Sequence, residues 1–218
     1  MKGLIRNNFY SVGSTLTWTV AFCIFMSIAA VLGAVKLPSI GEALPILMLA
    51  QIGVFTGMTA TALQKDNTSK WSKFERTLPI KISDVIKARY ISFLMFSMIG
   101  ILLASVAVML FAVVLGQPLN AEKVEFGYCF GIVFALLVPS FLYPLVLKFG
   151  ADKSELMLMI AVLITIVLFL GGGAILTPFL KNSNHADVIY RMICIIISVV
   201  VFISSYFVSM GIYKRKEF

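Results

Sequence analysis

Six runs of apolar residues, at 14–35, 43–63, 88–115, 126–147, 155–178 and 188–211, divide the chain, and each is long enough to cross the roughly 30 Å hydrocarbon core of a bilayer as a helix. Apolar residues occupy the whole circumference of these runs, as they do in helices that face lipid. Polar residues gather in short connections, with one longer exception at 66–90. The pattern predicts an all-α, polytopic membrane protein with six transmembrane helices. At about 20 residues per span plus connections, six helices use up the 218 residues, so a single transmembrane domain over 1–218 is expected, with no separate soluble domain.

Composition agrees with this class, since 60% of the residues are hydrophobic and only 13% charged, and the mean hydropathy is +1.00. A soluble domain of this size needs far more polar surface. The net charge of +8 is spread over short loops rather than over one face of a soluble module, which argues against nucleic acid as a partner. Its distribution predicts orientation. With six spans, 14 of the 18 basic residues fall on one side, near the amino terminus, in 65–89, at Lys148 and Lys153, and at 214–216. The other side holds Lys36, Lys123, Lys181 and Arg191, balanced by Glu42, Glu122, Glu125 and Asp187. Basic residues accumulate on the cytoplasmic side, so both termini are expected in the cytoplasm. The first span is expected to be retained, because 1–14 lacks the apolar core and cleavage site of a signal peptide.

Candidate chemistry is sparse. Intramembrane charges usually mark proton relays or ion paths, and the runs 14–35, 43–63, 91–115, 126–147 and 192–211 carry none. The only histidine, His185, falls in the loop NSNHAD. Cys23, Cys129 and Cys194 lie in apolar stretches without CxxC spacing and read as small packing residues, so no metal site is expected. No intramembrane Ser/His pair, HExxH, aspartate pair or phosphate-binding GxxxxGK[ST] occurs, so no catalytic residue is expected and any nucleotide chemistry belongs to another chain. The polar groups within the spans, Thr15, Thr17, Thr19, Gln51, Thr56, Thr59 and Thr61, read as packing groups. Gly53 and Gly57 form a small-xxx-small pair that lets another helix approach, a possible contact between two copies. Pro139 and Pro144 are expected to kink the fourth span, and Gly171, Gly172 and Gly173 to loosen the fifth before Pro178.

The connection at 66–90 has structure of its own. Trp71, Phe74 and Leu78 stand at i, i+3 and i+7, on one face of a helix, while Lys70, Lys73, Arg76 and Thr77 fall largely elsewhere. Asp66, Asn67 or Thr68 can cap its start, Pro79 stops it, and Ser83 or Asp84 can cap a new helix entering the third span. Such a basic amphipathic helix can rest on anionic lipid or anchor its aromatic face in the groove of a cytoplasmic partner, and periodicity leaves both open. At 1–13, Ile5, Phe9 and Val12 form a second amphipathic face with Lys2, Arg6 and Asn8 off it, which suits an interfacial helix before the first span.

MKGLIRNNFY before the first span, DNTSKWSKFERTLPIKISDVIKARYI between the second and third, and the six-span layout together resemble the permease subunits of ABC-type exporters. The resemblance is to small bacterial permeases of the phenol-soluble-modulin exporter and bacteriocin-immunity types. It implies a coupling element at 66–82 that docks into a separate ATPase through Asn67, Lys70, Trp71, Phe74, Glu75, Arg76 and Leu78. It also implies a second, shorter contact in the loop 148–155 at Lys148, Asp152 and Lys153, and an elbow helix near the amino terminus. The partners implied are an ATP-binding cassette ATPase, which would bind ATP and Mg, and a second permease, either another copy or a homologue. The setting implied is a bacterial plasma membrane, and the cargo an amphipathic or hydrophobic peptide, a drug or a lipid-like molecule. A substrate-capture subunit of a vitamin-uptake transporter would need convergent polar groups in a preformed pocket and would not need the long 66–90 element. A non-catalytic membrane scaffold is the remaining alternative.

Overall fold

The computed structural model describes residues 2–36, 43–71, 81–116, 119–180 and 186–215, and every regular element among them is a helix. In chain order these are α1 (Lys2–Lys36), α2 (Leu44–Thr68), α3 (Ile82–Leu115), α4 (Ala121–Phe149), α5 (Ser154–Leu180) and α6 (Ala186–Arg215), with one 3-10 turn, Ala151–Lys153, between α4 and α5. All six are long and apolar enough to cross a membrane, as the six apolar runs predict.

Their ends are set by local chemistry. Asn120 caps α4, its Oδ1 accepting from the backbone N–H of Glu122 at 3.0 Å and of Lys123 at 3.4 Å. Gly116 ends α3 at φ +60°, a left-handed conformation that glycine adopts without a Cβ clash. At the end of α2 the backbone N–H of Ser69 and of Lys70 bond back to the carbonyls of Lys65 and Asn67, and Lys70 itself turns to φ 55°.

The six helices are not equivalent. In the most apolar stretches of α2 and α4, 56% and 61% of residues are buried, against 17–22% in the other four. The bundle is thus built on a central pair with four helices around it. Small residues make the close approach possible. A Cβ at Gly100 of α3 would lie 3.0 Å from the Ile52 Cα, and a Cβ at Gly131 of α4 would run into the Ile52 side chain, so α2 sits in a groove between α3 and α4. Phe55 of α2 packs with Phe96 of α3, and Phe93 of α3 with Val138 and Leu142 of α4, all essentially fully buried. The outer four helices present long apolar residues to the surroundings, among them Trp18, Phe25, Met98, Leu163 and Phe207.

The described ends of the first and last helices, Lys2 and Arg215, lie at one end of the bundle. Leu4 packs with Val85 and Ala88 at the start of α3, and Ser209 near the end of α6 bonds Tyr90 at the same place. Lys2, Arg6, Lys65, Lys70, Lys81, Lys87, Lys148, Lys153, Lys214 and Arg215 belong to this end, called the basic end below.

Four expectations change. The separate interfacial helix at 1–13 is absent, because α1 runs unbroken for 35 residues, about 52 Å. The face that holds it is Leu4, Asn8 and Val12, buried at i, i+4 and i+8, and Ile5 and Phe9 only flank it. The helix expected to start at 66–68 does not start there, since α2 continues to Thr68 and Asp66 is buried in its last turns. The third helix opens at Lys81 without a side-chain cap, and Ser83 and Asp84 lie inside its first turn. The glycines at 171–173 leave α5 continuous, and Tyr190 of α6 packs over Gly172 and Gly173 and donates to the Phe169 carbonyl.

Candidate functional site

The basic end gathers the polar side chains that span charge counting passes over. Asp66 of α2 and Arg89 of α3 form an ion pair, with side chains 6% and 7% exposed. Arg89 Nη1 also donates to Asn8 Oδ1 at 2.6 Å, and Asn8 Nδ2 donates to the Ser92 hydroxyl at 2.9 Å. Ser92 in turn donates to the Ala88 carbonyl. Three helices, α1, α2 and α3, therefore meet on one buried charge pair whose hydrogen-bonding groups come from all three. Burying a charge is tolerated when it is paired, and here each charge faces the other while Arg89 also donates to Asn8. Alongside, Lys65 reaches across to the Thr15 hydroxyl at 3.0 Å, a second tie between α2 and α1.

The two segments expected to face a partner come together one turn further along. Asn67 Nδ2 donates to Asp152 Oδ1 at 2.6 Å, joining the end of α2 to the 3-10 turn between α4 and α5, and Gln64 donates to Glu155 at 3.4 Å. Lys70, Lys148 and Lys153 are exposed around this junction, and Trp71 is half-buried beyond it. Phe74, Glu75, Arg76 and Leu78 lie outside the described residues, as does most of the expected coupling element at 66–82. Gly53 and Gly57, expected as a contact between copies, are half-buried and already face Phe134 and Leu158 of the same chain.

Asn8, Asp66, Arg89 and Ser92 were not among the candidates drawn from sequence, yet a signal for two of them exists. Arg89 interrupts the stripe Val85, Ser92 and Phe96 at helical spacing, and Asn8 interrupts Leu4 and Val12. A polar residue at the centre of a buried stripe predicts a buried partner.

A second polar track lies where α3, α4 and α6 meet. The Tyr90 hydroxyl is 2.8 Å from the Ser205 hydroxyl and 2.9 Å from that of Ser209, and Ser205 donates to the Ser140 carbonyl at 2.6 Å. The Tyr90 ring is packed edge-on by Tyr143, Phe202 and Tyr206 at 5.1–5.7 Å between centroids.

The span hydroxyls mostly serve their own helices. Thr17, Thr19, Thr56 and Thr59 bond carbonyls three or four residues back, consistent with packing. Gln51 is different: its amide donates to Ser27 at 2.6 Å and ties α2 to α1. Two clefts open along the helices, one of about 260 Å³ between α3 and α6 and one of about 320 Å³ among α4, α5 and α6. Their walls are mostly apolar, with Lys87, Ser140, Ser204 and Ser205 among the few polar groups. Among the described residues no cluster of histidine, cysteine and carboxylate side chains could hold a metal ion, and the three cysteines are free.

Six apolar helices with an internal core and apolar outer faces define a multi-pass membrane protein. The family model described as ABC-2 family transporter protein matches residues 3–214, nearly the whole chain, and the chain belongs to that family. It is thus a membrane component of the ABC transporter type, in line with the resemblance read from MKGLIRNNFY, the 66–90 segment and the six-span layout. Comparison with the curated proteins and with the solved structures returned no match.

Proposed function

We propose that the chain is the permease subunit of an ATP-driven exporter in a bacterial plasma membrane, with its basic end in the cytoplasm and a separate ATP-binding cassette ATPase docked there. ATP and Mg²⁺ are bound by that partner, and a second permease, identical or homologous, completes the transport path. The observation that carries the reading is the 2.6 Å bond between Asn67 and Asp152, which joins the two segments that the family resemblance assigns to partner contact. A body bound there acts on α2, α4 and α5 together.

The buried ion pair extends this lever. Force applied at 66–82 enters the last turns of α2, and the Asp66–Arg89–Asn8 contacts pass it to α3 and α1 as one unit. Motion of helices as packed bodies is how such assemblies switch between states. The cargo that suits the helices is amphipathic or hydrophobic, a peptide above all, since the described clefts are lined mainly by apolar side chains and a path for hydrophilic ions would place charge at midplane. The chain and an ATPase with a phosphate loop encoded beside it, expressed together, are expected to copurify through detergent extraction. A chain that comes through free of ATPase while both are present in the membrane removes the proposal.

A further inference from the structure

Proline has no N–H, so each proline inside a helix leaves the carbonyl four residues earlier without its partner. Helix α4 contains two, Pro139 and Pro144, which free the carbonyls of Ala135 and Ser140. Both carbonyls accept from serines on other helices: Ser205 of α6 donates to Ser140 at 2.6 Å, and Ser97 of α3 lies 3.5 Å from the Ala135 oxygen while donating to Phe93 at 3.0 Å. The first bond is short and the second is shared.

Counting protons gives the first bond a direction. A serine hydroxyl has one hydrogen, and that of Ser205 goes to the Ser140 carbonyl. In its contact with Ser205, Tyr90 must then be the donor, and in the contact with Tyr90, Ser209 must donate. The chain runs from Ser209 to Tyr90 to Ser205 to the carbonyl freed by Pro144. All four residues are buried, where the members of such a chain reinforce one another.

We infer that Ser205, oriented by Tyr90 and Ser209, is the positioning residue for α4 at its proline break: it holds the carbonyl that Pro144 frees and so fixes α4 against α6. In the transport cycle this gives α4 a hinge with a defined resting angle, released when the Ser205 bond breaks. Only that last step rests on the permease reading; the hydrogen-bond logic stands on the folded chain alone.

The test is a double-mutant cycle between Ser205→Ala and Pro144→Ala, read on the purified chain by unfolding in SDS without any partner. Ser205→Ala alone is expected to lower the folded-to-unfolded ratio by roughly threefold to fifteenfold, the range of interhelical hydrogen bonds in membranes. In the Pro144→Ala background, residue 144 regains its N–H, the Ser140 carbonyl has a partner, and the same substitution should cost less than about twofold. Equal losses in both backgrounds overturn the inference. Spin labels at positions 122 and 149, in a chain with its cysteines replaced, report on the break: Ser205→Ala should broaden the distance distribution across α4, and unchanged width counts against the positioning role. An intact cycle and a broadened distribution in a chain that never stimulates an ATPase would sink the permease reading and leave the hinge.

Discussion

At the basic end Arg89 and Asp66 meet with side chains 7% and 6% exposed, and Asn8 from a third helix joins them; at the opposite end Arg191 of α6 reaches Glu125 of α4 at 3.1 Å with the carboxylate 66% exposed. Each is one arginine with one carboxylate. Water decides what each contributes. An exposed pair exchanges hydration for a screened attraction and comes out near zero, while in a buried pair each charge depends on the other for its solvation. The buried pair thus ties three helices together at the basic end, while the exposed pair adds little to the packing that already holds α4 against α6.

The comparison breaks most easily at Arg89. Arg89→Met leaves Asp66 buried without its partner and should cost about 3–5 kcal/mol of stability in SDS or thermal unfolding. Joining it with Asp66→Leu should recover most of that loss, because an apolar pair of similar volume needs no compensating charge. A double variant as unstable as the single one would mean that Asp66 is solvated some other way. The smallest effect is expected at the opposite end, where Glu125→Gln should stay within about 1 kcal/mol and shrink further in high salt. A loss there equal to that at Arg89 would erase the distinction between the two ends.

The helices themselves were open to reading from the apolar runs, because a backbone in lipid has to satisfy its own hydrogen bonds and the helix is the way a single run can do so. All six are where the runs lie. Their ends were read too short, as at α1, predicted from 14 and found from Lys2, and at α3, predicted from 88 and found from Ile82. Hydropathy marks where lipid stops, and a helix continues past that point when, as with Leu4, Asn8 and Val12, it has another helix to pack on.

The site was legible in part. Asn67 and Asp152 were picked out separately as partner contacts, and the fold brings them into one hydrogen bond. Asp66 was read as a candidate helix cap and Arg89 only as one of the basic residues in 65–89, since each stands at a span edge and their pairing joins residues 23 positions apart on two helices. The serines at 97 and 205 carried no signal either, for a serine in an apolar helix has no marked function until the proline carbonyl opposite it is known. Pro139 and Pro144 were legible as breaks, but what satisfies them was not.

The central claim, that the basic end is where an ATPase drives the helices, is tested most directly by reconstituting the chain with its ATPase in liposomes and measuring stimulated ATP hydrolysis in two variants. Trp71→Asp, beside the Asn67–Asp152 junction, should abolish stimulation with membrane insertion intact, and Glu125→Gln at the opposite end should leave it within twofold of the parent, within what an exposed pair contributes. Full stimulation in Trp71→Asp, or its loss in Glu125→Gln alone, would contradict the account.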